Sequence, residues 1–296
     1  MPANRAQRRC VACGGAESTP LFRKLARCTT CGMVYFPKRC SREELEQLYS
    51  EDYFHGAEYF DYLADRAAHR ANFRTRMRVL HRWLPRGKKL FEVGCAYGLF
   101  LDLARESWQV RGCDIAEQPC CYARDKLGLH VDWADFGSLP LRPGDVDAFC
   151  LWDAIEHLED PAHYLARMAE ILPRGGILAL TTGDIGSLLA RIQGPRWRQI
   201  HPPTHLWYFS QATLQLTLER FGFEQVWSRH VGTWRGLGQI TYSLTSLGKR
   251  EPSRLHRLCM SSGLGTGAVW VNTFDLLMVI ARRRAGSVSS AFKEVA

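Results

Sequence analysis

From residue 90 onward, short apolar runs alternate with stretches of helical periodicity. Leu90, Phe91 and Val93 suit a strand buried on both faces, and further strands are predicted over 109–114, 129–133, 146–151, 176–182 and 224–230. Helices are predicted between them, over 98–107, 116–127, 160–171 and 210–221. Such alternation predicts an α/β fold, a mostly parallel sheet wound on both faces. Upstream, Arg66, Arg70, Arg74, Arg78 and Arg82 recur every fourth residue, while Phe73, Met77, Leu80 and Leu84 occupy another face, which predicts an amphipathic helix with a basic stripe. That stripe is either a solvated face or an attractor of an anionic substrate. Ser41-Arg42-Glu43-Glu44 has capping-box form for a short helix through Tyr49, and the aromatic-rich segment Tyr53–Phe60 follows it. Residues 232–272 fit no clean period and carry seven glycines, so they read as a loop serving as a lid, a dimer arm or a surface that meets lipid.

The first predicted strand ends in Glu92-Val93-Gly94-Cys95-Ala96-Tyr97-Gly98. Gly94 and Gly98 permit a sharp turn and close approach of the backbone to a ligand. A dinucleotide site would want a third glycine, where this chain has Leu99, and another at Ala96. Asp114 ends the second strand and offers a carboxylate to two ribose hydroxyls. The pattern therefore suits an adenosine without a phosphate.

These residues resemble the first motif of the class I S-adenosylmethionine-dependent methyltransferases, acid-x-Gly-x-Gly-x-Gly, with Ala96 as a departure that is mild unless φ there must be positive. The order and spacing of Asp114, Asp135-Phe136, Asp147–Leu158 and Leu172-Pro173-Arg174-Gly175-Gly176 extend the resemblance over residues 86–231. It implies a Rossmann-like, seven-stranded sheet in which Phe274–Ala281 inserts antiparallel beside the fifth strand. It also implies a cofactor site in which Glu92 faces the methionine amino end, Asp114 the ribose and Asp135 the adenine amino group. Gly94, Cys95, Ala96, Gly98, Ile115, Phe136 and Asp153 complete that set.

Composition changes the picture at the N-terminus. Eleven cysteines include Cys10-x2-Cys13 and Cys28-x2-Cys31, fourteen residues apart, with Gly14 and Gly32 after the pairs. This spacing predicts a structural zinc ribbon over residues 1–40, because four thiolates leave no open coordination position for catalysis. The other cysteines read as buried, unreactive thiols. No run of about 18 apolar residues and no apolar h-region is visible, which predicts a soluble cytoplasmic protein. The net charge of +9 admits nucleic acid, a membrane surface or an acidic metabolite.

Acceptor chemistry is expected past the carboxyl ends of the strands. Trp152-Asp153-Ala154-Ile155-Glu156-His157 ends the fourth, and its Glu-His pair resembles one in ubiquinone-pathway methyltransferases. His157 is the first candidate base, with Asp153 or Glu156 orienting the acceptor; otherwise His157 packs against the cofactor turn. A second cluster, Trp197–Ser210, combines prolines, histidines and aromatics and resembles the acceptor-side loop of methyltransferases from bacterial carbohydrate-modification clusters. It makes His205 the alternative base, and Arg198, His201 and Tyr208, with Tyr59 upstream, the substrate contacts. The alternative is an aromatic plug over the sheet edge. Asn/Asp-Pro-Pro-Tyr of exocyclic-amine chemistry is absent, Pro119-Cys120 is misplaced for cytosine C5 chemistry, and no cluster of carboxylates suggests metal-dependent catechol-type transfer.

The expectation is a zinc-ribbon methyltransferase acting on a small molecule, a sugar or glycoconjugate precursor. Its segments are the ribbon, a helical and aromatic linker (41–85), the core (86–231), the lid or dimer insertion (232–272), the last strand (273–284) and a tail (285–296). The alternatives are an RNA methyltransferase and a non-catalytic S-adenosylmethionine-binding scaffold.

Overall fold

The computed structural model describes residues 8–39, 44, 62–245, 253–263, 265 and 267–284. The aromatic segment with Tyr59, most of the helix expected from Ser41, Cys40 and the tail lie outside the described residues.

The cysteine-bearing segment forms short strands β1 (Ser18–Pro20), β2 (Ala26–Cys28) and β3 (Val34–Tyr35). Helix α1 (Arg66–Leu80) then leads into β4 (Lys89–Val93), α2 (Leu99–Ala104), β5 (Gln109–Asp114), α3 (Glu117–Leu127) and β6 (Val131–Trp133). After β7 (Ala148–Trp152) come α4 (Pro161–Ile171), β8 (Ile177–Gly183), α5 (Leu188–Gln193), β9 (Trp207–Tyr208), α6 (Gln211–Arg220) and β10 (Phe223–His230). Strand β11 (Thr233–Gly236), α7 (Leu237–Thr245), α8 (Arg254–Ser261), β12 (Ala268–Val271) and β13 (Leu276–Arg283) complete the order.

The main sheet has seven strands in the order β10-β13-β8-β7-β4-β5-β6. β13 runs antiparallel to both neighbours, whereas the other pairs are parallel. This is the Rossmann-like methyltransferase fold. Strands β7 and β8 are almost wholly buried because helices cover both faces, which explains their continuous apolar sequence. Strand order reverses beside β4, so a crevice opens past the carboxyl ends of β4 and β7, where this topology places ligands.

Strands β1, β2 and β3 do not form a detached module. They build a four-stranded antiparallel sheet whose last member is β9, with Val34 opposite Tyr208 and Tyr35 opposite Trp207. Cys10, Val11, Met33 and Tyr35 share one apolar core with Leu206, Trp207, Phe209 and Phe149. Two arginines fasten the seam. Buried Arg8 pairs with Glu159 at 2.6 Å and lies over the Trp207 ring, while Arg220 donates to the carbonyls of Cys10 and Val11.

The segment expected to be an irregular loop contains β11, α7, α8 and β12. Its period was hidden because the strands span four residues each and the first helix carries Gly238, whose missing side chain leaves room for Met260 Sδ. The arginine stripe of α1 faces solvent, with Arg70 held by Asp102 at 2.6 Å. It therefore lies away from the crevice, and its reading as a substrate attractor is corrected to a solvated face. Among the described residues no helix is long and apolar enough to cross a membrane.

Candidate functional site

A cavity of about 700 Å³ occupies the crevice. Its floor is the turn after β4. Gly94 has φ +76, and a Cβ there would come within 3.1 Å of Ala154 Cβ. Ala96 adopts φ +43, so the departure from glycine is not neutral: an alanine in the left-handed region carries roughly 1–2 kcal/mol of strain. Gly98 serves packing rather than a ligand, because a Cβ there would stand 2.7 Å from Leu129 Cδ1. The Cys95 side chain is likewise buried in the core, away from the cavity wall.

Carboxylates ring this floor. Asp114 accepts from Ala96 N at 2.7 Å and Ala116 N at 2.9 Å, so its side chain clamps the turn it follows. Asp135 accepts from Gly137 N at 2.7 Å and from the Tyr164 hydroxyl, with Ile115 and Phe136 beside it on the cavity wall. Glu92 is buried, and its Oε2 has no hydrogen-bond partner. Burial raises its pKa well above the carboxylate range, against the pull of Arg76. A buried acceptor of this kind, behind a glycine cradle and flanked by carboxylates, fits the ammonium and ribose of S-adenosylmethionine.

Arg76 was not anticipated from the sequence. It projects from α1 into the cavity, pairs with Asp153 at 2.7 Å and lies 5.3 Å from the ring centres of both Phe73 and Trp152. The available signal was its position three residues after Phe73, an arginine on the apolar rather than the basic face of the helix. Asp153 itself adopts φ +52.

Past β7, Glu156, His157 and His205 meet at the opposite side of the cavity. The His157 and His205 ring centres are 4.5 Å apart, and the His201 ring lies 4.0 Å from that of His205, tilted by 44°. His157 Nδ1 donates to Thr204 O at 2.9 Å, which makes Nε2 the basic atom. Burial pushes His157 down to about 4 and His205 well below the ordinary imidazole range. Glu156 is pushed up to about 8 by burial and then by the charge of Asp153. Arg198 reaches the cavity from a mount on buried Asp275, which also accepts from Trp197 Nε1 at 2.8 Å. Tyr208 is corrected as a substrate contact: it packs among Leu25, Val34 and Trp197, and its hydroxyl donates to His205 O.

The outer wall comes from α1, β11 and α7. Asn72 donates to Trp234 O at 2.9 Å and accepts from Trp234 N at 2.6 Å, as a neighbouring strand would. Asp65 accepts from Gly236 N, and a Cβ on Gly236 would sit 2.0 Å from Asp65 Oδ1. No sequence pattern signalled these contacts, since both side chains act through backbone brought from far along the chain.

At the cysteine cluster, Cys10 Sγ is 3.4 Å from Cys31 Sγ and Cys13 Sγ is 3.5 Å from Cys28 Sγ. All four sulfurs lie within 4.8 Å of one another, and Gly15 N donates to Cys13 Sγ. Four converging sulfurs fit one tetrahedral zinc ion.

A family model described as a methyltransferase domain matches residues 62–228. The chain is 28% identical over 153 residues to the ubiquinone biosynthesis O-methyltransferase of Dinoroseobacter shibae, a match covering 48% of this chain and 62% of that one. It is 32% identical over 114 residues to an S-adenosylmethionine-dependent methyltransferase of Mycobacterium tuberculosis, covering 37% and 42%. The chain thus spans about half the length of the curated relatives it matches. Among solved structures, it resembles a chain from the complex of the Haloferax volcanii Trm112 methyltransferase activator with a methyltransferase (TM-score 0.54, 18% identity, 78% of this chain and 98% of that one). It also resembles an S-adenosylmethionine-dependent methyltransferase of Thermotoga maritima (TM-score 0.50, 20% identity, 76% and 92%). At these identities the structural likeness speaks for the fold alone.

Proposed function

Given that the chain belongs to the methyltransferase-domain family, we propose that it is an S-adenosylmethionine-dependent methyltransferase whose acceptor is a small anionic molecule, a sugar or glycoconjugate precursor. The observation that carries this reading is the cavity itself. Its volume of about 700 Å³ spans the Gly94 turn at one end and the histidines and Arg198 at the other, the dimensions of a small-molecule site. The enclosure and the two arginines, Arg198 and Arg235, favour a compact anionic acceptor over a polynucleotide.

In this reading Glu92 receives the methionine ammonium, Arg76 its carboxylate, Asp114 the ribose hydroxyls and Asp135 the adenine amino group. S-adenosylmethionine, when bound, supplies an electrophilic methyl carbon. The protein's own task is to hold the acceptor in line and take its proton. Positioning contributes roughly 7–11 kcal/mol of barrier lowering, and a base about 3–5 kcal/mol. Arg198, fixed by Asp275, anchors the acceptor's negative charge. With no metal ion bound, Nε2 of His157 and the ring of His205 are the candidate proton acceptors on this side of the cavity. The four cysteines hold a structural zinc ion.

The test is calorimetric titration of the purified, zinc-loaded chain with S-adenosylhomocysteine, followed by transfer of labelled methyl to nucleotide sugars and to RNA. Micromolar binding and label in the nucleotide-sugar fraction support the reading. Label in RNA alone would replace it with the polynucleotide alternative, and tight cofactor binding with no acceptor in either set would favour the scaffold.

A further inference from the structure

We infer that Glu156, His157 and His205 together form a binding site for a divalent transition-metal ion, separate from the four-cysteine cluster and open to the acceptor side of the cavity. The inference rests on the acceptor assignment above and deepens it.

Three observations point to a ligand at this place. First, one nitrogen from each histidine and one carboxylate oxygen of Glu156 lie within 4.8 Å of one another, a spacing that small side-chain rotations close onto a shared ion. Second, His157 is oriented from behind by a backbone carbonyl, its Nδ1 donating to Thr204 O at 2.9 Å, and the His205 ring meets it edge-on with the ring centres 4.5 Å apart. Such an outer hydrogen bond fixes the tautomer and aims the other nitrogen of the ring, as in metal-ligating histidines. Third, Glu156 Oε2 is buried without a hydrogen-bond partner. A carboxylate oxygen buried in this way is costly unless something positive meets it.

The frame around the three is stiff. Leu206 N donates to Glu156 O at 2.8 Å and Trp207 Nε1 donates to Leu158 O at 2.8 Å, so the two ligand-bearing segments are stitched on either side of the site.

The donor set selects the ion. Two imidazoles and one carboxylate suit zinc, cobalt, iron(II) or nickel rather than magnesium or calcium, which prefer all-oxygen shells. Three protein ligands leave a coordination position facing the cavity, unlike the saturated cysteine quartet. An acceptor carrying a hydroxyl or carboxylate oxygen would take that position, which would orient it toward the Gly94 end of the cavity. Glu156 and His205 stand 49 positions apart in the chain, which is why no local motif announced their convergence.

Cobalt(II) added to the full chain, whose cysteine quartet is already loaded with zinc, reads the site by ligand-field absorption. S-adenosylhomocysteine binding is measured on the same samples. The expected result is saturable uptake of one cobalt ion per chain without a thiolate-to-cobalt charge-transfer band. In His205→Ala and Glu156→Gln, uptake should weaken by more than the roughly tenfold to hundredfold typical of outer-shell changes, with S-adenosylhomocysteine binding retained. A wild-type chain that binds S-adenosylhomocysteine but no cobalt, or that shows only the thiolate band, overturns the metal site and leaves the acceptor assignment standing. Cobalt uptake undiminished in both variants overturns it as well. Loss of S-adenosylhomocysteine binding by the wild-type chain would instead count against the underlying reading.

Discussion

Tyr35, in the cysteine-bearing N-terminal segment, is the antiparallel partner of Trp207, which stands two residues beyond His205. The sheet that carries Cys28 thus ends in the strand that follows the cavity histidines. Backbone order at the cluster is thereby transmitted to the histidine side of the cavity, while the Gly94 turn is built on β4 and β5 of the main sheet.

Breaking the cluster should separate the two ends. Cys13→Ser and Cys31→Ser should release one zinc per chain and lower the melting temperature, yet leave S-adenosylhomocysteine binding intact while methyl transfer is lost. Metal analysis, calorimetry and activity on the same preparation check this. Full transfer from a zinc-free variant would show that the cluster does not support the acceptor side.

Asp114→Ala removes the carboxylate that clamps Ala96 N and Ala116 N. Loss of one charged hydrogen-bonding group predicts cofactor binding about tenfold weaker or more, from roughly 1.5–3 kcal/mol. Calorimetric titration measures it, and unchanged affinity would remove Asp114 from the cofactor site.

Arg76→Ala leaves Asp153 without its 2.7 Å partner and withdraws the cation that opposes the raised pKa of Glu92. Stability should fall by about 2 kcal/mol, the scale of a hydrogen bond to a charged group. Cofactor affinity should fall with it. Denaturant unfolding and titration together distinguish this outcome from a purely structural arginine, which would change the first and spare the second.

Ala96→Gly should stabilise the protein. Relief of the left-handed strain at φ +43 is worth roughly 1–2 kcal/mol, against about 1 kcal/mol of extra freedom that glycine gives the unfolded chain. A small rise in melting temperature is expected, and a fall would mean that the methyl makes a compensating contact.

Burial pushes Asp65 up to about 6, against the opposing effects of the Gly236 N–H and Arg235. A carboxyl whose folded pKa is raised binds its proton more tightly in the fold, so stability is lost as pH rises from about 4 to about 6. Asp65→Asn keeps an acceptor for Gly236 and removes the charge. It should therefore melt higher than the parent at pH 7, by an amount on the order of 1 kcal/mol after solvent screening, with the two curves converging in acid. Equal melting at both ends would contradict the raised pKa.

The main sheet was legible because its central strands are buried on both faces and so are written as apolar runs such as Phe149–Leu151 and Leu178–Leu180. The glycine turn and Asp114 were legible because the turn and its carboxylate lie within one β-α-β unit. By contrast, the β3–β9 pairing joins two strands of two residues each, too short to leave a period, and far apart in sequence. The β11–β12 pair was obscured by glycines, and Arg76 by the arginine stripe around it. His157 and His205 could each be named locally, but their convergence with Glu156 depends on where β9 docks.

The paired bonds between Asn72 and Trp234 have a mechanical consequence. Because one side chain of α1 grips both backbone groups of a β11 residue, a displacement of α1 drags β11 with it. The same helix carries Arg76 and His69 at the cofactor end of the cavity. The outer wall of the cavity and its Arg76 side are therefore carried by one element.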